Sequence, residues 1–121
     1  VVKVLRKIVT DEEGTAGLAN VDGYEVAGKT GTAEQVIDGQ YSKTKINTFA
    51  SVFPSSNPKY VLIVMLDSPK GSSTYVYNYR NKKGNFTGTP FNTAGWTSVE
   101  VAGQIIEKIG PILATKYLQV Y

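Results

Sequence analysis

The run Tyr60-Val61-Leu62-Ile63-Val64-Met65-Leu66 constrains the fold of this chain most. Seven apolar residues follow one another between Pro54-Ser55-Ser56-Asn57-Pro58 on one side and Ser68-Pro69 on the other. Prolines and turn residues so close on both sides leave no room for a helix of ordinary length. A continuous, β-branched run of this size reads as a strand buried between layers, and it is far too short to cross a membrane.

Such a strand needs neighbours, and two segments before it qualify. Residues 46–53 carry apolar groups in both parities, which predicts a strand covered on both faces. Residues 24–36 hold Tyr24, Val26, Thr30, Thr32 and Val36 and read as extended. Asp38-Gly39 is a turn signal, and a loop as far as Lys45 is expected to join these two strands. The three strands form an antiparallel meander.

A helix is expected at each end. Val1, Val4, Leu5 and Ile8 recur at helical spacing, so residues 1–10 make an amphipathic helix that Asp11-Glu12-Glu13-Gly14 ends. Thr97-x-x-Glu100 has the form of a capping box. The helix it opens has Val101, Ala102, Ile105, Ile106 and Ile109 as its buried stripe, and Gly110-Pro111 is expected to kink or stop it. Residues 112–121 continue as a helical turn with a frayed end. The fold class is α/β (α+β): a three-stranded meander with an N-terminal and a C-terminal helix packed on it. Between residues 68 and 95 there is little periodicity, and the segment reads as a long functional or mobile loop. Its Tyr75, Tyr77, Tyr79, Phe86 and Phe91 are expected to pack it down; Asn85-Phe86-Thr87 matches a glycosylation acceptor only as text.

Composition narrows the chemistry. The 121 residues contain no histidine and no cysteine, so catalysis has to use Lys, Ser, Tyr or carboxylates, and no metal-ligand cluster or cofactor motif is present. A net charge of +3, with Arg80-Asn81-Lys82-Lys83 as the one local cluster, is too weak and dispersed to argue for nucleic acid. The chain does not begin with Met and reads as a piece of a larger protein.

Chemistry concentrates in Lys29-Thr30-Gly31-Thr32. An ammonium on a flexible stem holds carboxylates or lowers the pKa of a neighbouring hydroxyl. Thr30 and Thr32 each donate and accept, and Gly31 clears the side chain that would keep a ligand from the main chain. The four residues amount to a short anion-binding rim. Strand alternation sets the threonines on one face and Lys29 on the other. An edge strand bordering a cleft reconciles the two, because groups from both faces reach a ligand lying along the edge.

Lys-Thr-Gly is a signature of the serine penicillin-recognising enzymes. In order along the chain come Gly28-Lys29-Thr30-Gly31-Thr32-Ala33, Phe49-Ala50-Ser51-Val52-Phe53-Pro54, residues 60–69 and Thr93-Ala94-Gly95-Trp96 before a last helix. This succession resembles the C-terminal part of the transpeptidase domain of class B penicillin-binding proteins, especially the cell-division type. The resemblance covers nearly the whole chain. It implies a peptidoglycan D,D-transpeptidase that cross-links stem peptides ending in D-Ala-D-Ala and is acylated by β-lactams. It implies a catalytic part for Lys29 and Thr32, with the Thr32 N–H in the oxyanion hole, and a substrate-binding part for Thr30, Gly31 and Thr32. Gly14-Thr15-Ala16 resembles the family segment that helps line the cleft. Other implied partners are the rest of the transpeptidase domain and divisome proteins, with the site on the periplasmic face of the bacterial inner membrane.

The nucleophilic serine and the Ser-x-Asn element of the family precede Lys-Thr-Gly and are expected outside residues 1–121. Ser42-Lys43-Thr44-Lys45 and Ser56-Asn57-Pro58-Lys59 match Ser-x-x-Lys by spelling alone, since neither belongs to a predicted helix that would bring Ser and Lys together. The chain alone is therefore expected to be inactive. The competing readings are a non-catalytic peptide-binding or interaction module on a degenerate penicillin-binding fold, and a β-lactamase or sensor relative.

Overall fold

The computed structural model describes residues 1–70, 74, 76–78, 85–87 and 93–118. Helix α1 (Val2–Thr10) leads through a 3-10 turn, η1 (Gly17–Ala19), into strands β1 (Ala27–Ile37), β2 (Gln40–Phe53) and β3 (Tyr60–Asp67). A second 3-10 turn, η2 (Ala94–Trp96), precedes helix α2 (Ser98–Leu113). The three strands form one antiparallel sheet in the order β1-β2-β3, which is the expected meander. Lys29-Thr30-Gly31-Thr32 therefore lies on an edge strand.

One face of the sheet carries the core. Phe49, Phe53 and Val64 pack there with Val9 of α1, Leu18 of η1, Val26, and Val99, Ala102 and Ile106 of α2. Gly28 passes so close that a Cβ on it would come within 2.6 Å of the Phe49 ring and of the Ala50 carbonyl oxygen. The other face is open: Val61, Ile63 and Met65 are 69%, 62% and 65% exposed, and Ala50 beside Ile63 is exposed as well. Neither β2 nor β3 is thus covered on both sides, contrary to the expectation drawn from their unbroken apolar patterns.

Several expected boundaries shift for local reasons. The first strand begins at Ala27 rather than residue 24, because Asp22-Gly23-Tyr24 turns, with Gly23 at φ 89° and Glu25 at φ 49°. The loop expected as far as Lys45 is strand: Asp38 and Gly39, at φ 52° and 78°, make a two-residue hairpin turn that pairs Ile37 with Gln40 at once. The extra residues are absorbed in a bulge after Glu34, where Thr44 Oγ1 donates to Gln35 Oε1 at 2.7 Å. On α1 the inward stripe is Val2, Leu5, Arg6, Ile8 and Val9, so Leu5 and Ile8 face inward as expected, while Val1 and Val4 are 97% and 64% exposed. Arg6 belongs to the inner face because its guanidinium donates to the Val26 carbonyl at 2.7 Å and to Asn20 Oδ1 at 3.3 Å.

On α2 the buried positions are Ser98, Val99, Ala102, Gly103, Ile106 and Gly110, with Ile109 turned to the rim. The helix does not stop at Gly110-Pro111 but runs on to Leu113 and into a further helical turn, Ala114–Leu118. A Cβ at Gly110 would overlap the Tyr24 ring, so this glycine serves close packing rather than termination. The stretch taken as a structureless loop contains a short antiparallel pair, β4 (Val76–Asn78) with β5 (Asn85–Thr87), whose Val, Tyr, Phe and Thr residues favour strands. Tyr75, Tyr79, Phe91, the Arg80-Asn81-Lys82-Lys83 cluster and residues 119–121 lie outside the described residues, as do the side chains of Tyr77, Phe86 and the Asn85-Phe86-Thr87 acceptor.

Candidate active site

Among the described residues, the motif strand pairs with one neighbouring strand, β2. Lys29 faces Ala50, Thr30 faces Phe49, Gly31 faces Thr48 and Thr32 faces Asn47 across the β1–β2 ladder. Residues directly opposite share a face. Thr30 and Thr32 thus project on the side of the buried Phe49 and Asn47, toward the helices, and Lys29 and Gly31 belong to the open side with Ala50 and Thr48.

On the helix side the threonines border a groove of about 330 Å³ lined by Gly14, Thr15, Gly17, Thr30, Thr32, Thr93, Gly95 and Trp96. Three segments far apart in sequence meet there. Gly14 and Thr15 reach it because Asp11 caps the end of α1, its carboxylate accepting from the Glu13 N–H at 3.0 Å and its carbonyl from the Gly14 N–H at 2.9 Å. The Ala16 N–H then donates back to the Ile8 carbonyl at 3.1 Å and turns the chain beneath β1. Thr15 Oγ1 lies 2.9 Å from Thr30 Oγ1, one of the two hydroxyls donating to the other.

The third wall is η2. The Ala94 N–H donates to Thr32 Oγ1 at 2.9 Å, which ties the turn to the motif strand. Gly95 sits against Thr15, where a Cβ would come within 2.6 Å of the Thr15 carbonyl oxygen. Thr97 was expected to cap α2. It occupies the N-cap position, but its hydroxyl makes no cap hydrogen bond: it donates to the Thr93 carbonyl at 2.9 Å and accepts from Asn47 Nδ2 at 2.7 Å. The capping-box reading fails because a buried asparagine competes for the same oxygen.

Among the four motif residues, the structure therefore brings Thr30 and Thr32 to the groove and leaves Lys29 on the opposite face, exposed, with Nζ 2.8 Å from the carbonyl of its neighbour Thr30. At Gly31 a Cβ would meet nothing within 4 Å. Among the described residues no packing asks for a glycine there, and the space beside the backbone is open. The two spelled matches to Ser-x-x-Lys are not sites: Ser42 and Lys45 lie on the extended β2, and residues 56–59 form the turn before β3. Sequence reasoning saw the Gly14-Thr15-Ala16 segment and Thr93-Ala94-Gly95-Trp96, but not that Thr15 bonds Thr30 or that Asn47 holds Thr97. A lone asparagine in an apolar strand carries no spacing signal that would have shown it.

The groove is lined by hydroxyls, which both donate and accept, and the Lys29 ammonium lies outside that lining. Comparison with known proteins gives this geometry a context. The penicillin binding protein transpeptidase domain profile matches residues 1–86. The probable peptidoglycan D,D-transpeptidase FtsI of Caulobacter vibrioides is 34% identical over 122 residues, which cover 94% of this chain and 18% of that protein. The probable D,D-transpeptidase PenA of Neisseria meningitidis is 33% identical over 103 residues, covering 84% of this chain and 16% of that protein. Among solved structures, the transpeptidase domain of FtsI4 from Legionella pneumophila matches with a TM-score of 0.60 at 25% identity, over 88% of this chain and 32% of that one. Penicillin binding protein 3 of Mycobacterium tuberculosis, complexed with aztreonam, matches with a TM-score of 0.59 at 31% identity, over 88% of this chain and 22% of that one. The chain thus spans less than a fifth of the two curated relatives. With residues 1–86 inside the family profile, with a sequence similar to the FtsI and PenA enzymes and a backbone similar to that of FtsI4, this chain belongs to the penicillin-binding protein transpeptidase domain family, in its class B, cell-division branch.

Proposed function

We propose that this chain forms the motif-strand side of the acyl-transfer site of a serine D,D-transpeptidase that cross-links peptidoglycan stem peptides and is acylated by β-lactams. The observation that carries the reading is the placement of the Thr30 and Thr32 hydroxyls on an open groove at the free edge of β1. A stem peptide laid antiparallel to that edge would pair with its unsatisfied backbone groups. Its terminal carboxylate, or that of a penicillin, would accept hydrogen bonds from Thr30 and Thr32, with Thr15 alongside. The Thr32 N–H serves as one oxyanion donor.

Lys29 enters from the other face. Its residue shares a face with the uncovered Ala50 and Ile63, its ammonium lies 2.8 Å from the Thr30 carbonyl, and the part of the domain that bears the serine would approach it there. There Lys29 supplies positive potential to the proton network around the nucleophile. That serine attacks the D-Ala-D-Ala carbonyl, terminal D-alanine leaves with a proton, and an amine of a second stem peptide takes the acyl group and frees the serine. Residues 1–121 contribute the pocket wall and not the attacking group, so by themselves they turn nothing over. In the cell the site would face the periplasm from the inner membrane, and neighbouring divisome proteins would be its partners.

The test is acylation of the full-length protein by a fluorescent penicillin, followed by the rate at which label is lost. Persistent label is expected, and rapid release would point instead to a β-lactamase. Lys29→Ala and Thr32→Val should each lower the second-order acylation rate constant by about 10²–10³, the usual effect of losing a directed electrostatic contact to an acyl-transfer transition state. Wild-type labelling in both variants would remove the motif strand from the site.

A further inference from the structure

A network behind the groove is not explained by substrate contact. Asn47 is fully buried directly across the ladder from Thr32, and its side-chain amide donates to Thr97 Oγ1 at 2.7 Å. The Thr97 hydroxyl passes its own proton to the Thr93 carbonyl at 2.9 Å, giving up the helix cap that its sequence position offers. The buried Ser98 hydroxyl donates to the Asn47 carbonyl at 2.7 Å. Two hydrogen bonds thus join β2 to residues 93–98 and a third ties Thr97 to Thr93 within that segment, and the backbone that they fix includes the Ala94 N–H, which donates to Thr32 Oγ1.

We propose that Asn47 and Thr97 are positioning residues for the Thr32 hydroxyl. A threonine hydroxyl has one proton and two acceptor sites. With an acceptor site of Thr32 occupied by the Ala94 N–H, its rotation is restricted and its proton is free for the groove, so Thr32 meets an anion as a donor. Without the Asn47–Thr97 tie the 93–97 turn is free to drift from β1, and Thr32 reverts to an unfixed rotor. The residue that sets carboxylate recognition is then not on the motif strand alone: it is coupled to an asparagine and a threonine 50 positions apart in sequence, neither of which lines the groove. This inference rests on the assignment of Thr32 to carboxylate binding.

The experiment uses the full-length transpeptidase and compares acylation by a fluorescent penicillin with acylation by its carboxyl methyl ester. Each variant's acid-to-ester ratio cancels any change in the folded fraction. Thr97→Val keeps the branched shape and removes the hydroxyl; it should lower the rate constant for the free acid about tenfold, the size of one hydrogen bond to a charged group, and leave the ester unchanged. Thr97→Ser should restore the wild-type ratio. The double variant Thr32→Val/Thr97→Val should be no worse than Thr32→Val alone. The inference is overturned if Thr97→Val lowers acid and ester alike, if its ratio equals wild type while Thr32→Val is impaired, or if the two losses multiply. An unchanged ratio in Thr32→Val itself overturns the carboxylate assignment and the inference with it. Should Thr97→Val not fold, Asn47→Thr breaks the same tie from the other end and is read by the same ratio.

Discussion

At the scale of single residues, the motif was legible because four polar or side-chain-free positions stand together in a β-rich stretch. What surrounds it was not. Glu25 illustrates the difference, since it reads as one more polar residue in a strand yet stands at φ 49°, where its carboxylate accepts the Ser56 N–H at 3.0 Å and the Ser55 hydroxyl at 3.3 Å. Hydrogen bonds from Ser56, followed by those from Ser55 and the charge of Arg6, hold this carboxyl below the usual glutamate range. A depressed folded pKa means that the contribution to stability is present above the unfolded value and disappears as pH falls through the folded one. Thermal melts of the full-length protein should therefore lose this contribution as pH falls below about 4, and Glu25→Gln, which lacks it, should be the less stable near pH 7, show a shallower acid limb and approach the wild type in acid. An identical acid limb in the two proteins would show that the carboxylate is not held in solution. Asn47 was opaque for another reason: its meaning depends on Thr97, and no local pattern links positions so far apart.

At the scale of elements, the three strands, their order and both helices could be read from periodicity and turn chemistry, whereas faces and ends could not. The stripe on α1 is displaced because Arg6 spends its guanidinium on the Val26 carbonyl, and a charged residue facing inward defeats a hydropathy pattern. Gly110-Pro111 fails to end α2 because the Tyr24 ring fills the space that the glycine leaves, so tertiary packing overrides propensity. Gly95 belongs to the same class: its lack of a side chain is what lets η2 touch the 14–15 segment, and the two together close the groove. Gly95→Ala places a methyl against the Thr15 carbonyl oxygen, where backbone rather than a side-chain tip has to move. We expect a loss of about 1–3 kcal/mol in the full-length protein, the range for overpacking, together with slower acylation because Thr15 and Thr30 are pushed apart. Denaturant midpoints and penicillin labelling check the two parts; a neutral outcome in both would show that η2 is not seated on Thr15.

At the scale of the whole molecule, the sheet has a finished face and an unfinished one. Core packing ends at the plane of β2 and β3, and beyond it Val61, Ile63 and Met65 stand in solvent next to an outer edge of β3 with no strand beside it among the described residues. An apolar, β-branched edge of this kind is a template for further pairing. The unbroken apolar run reads residues 60–66 as doubly buried, whereas one face of β3 has nothing over it among the described residues. From this follow opposite effects of one substitution. In the isolated chain, sedimentation should show self-association that rises with concentration, and Ile63→Lys should reduce it by placing a charge on the sticky face. In the full-length transpeptidase the same Ile63→Lys should cost on the order of 3 kcal/mol, because there the ammonium would be buried under the rest of the domain without a partner. An isolated chain that sediments as a monomer at every concentration, or a full-length protein indifferent to the lysine, would mean that this face is finished as it stands, and that the Lys29 ammonium beside it has no second half of a catalytic site to meet.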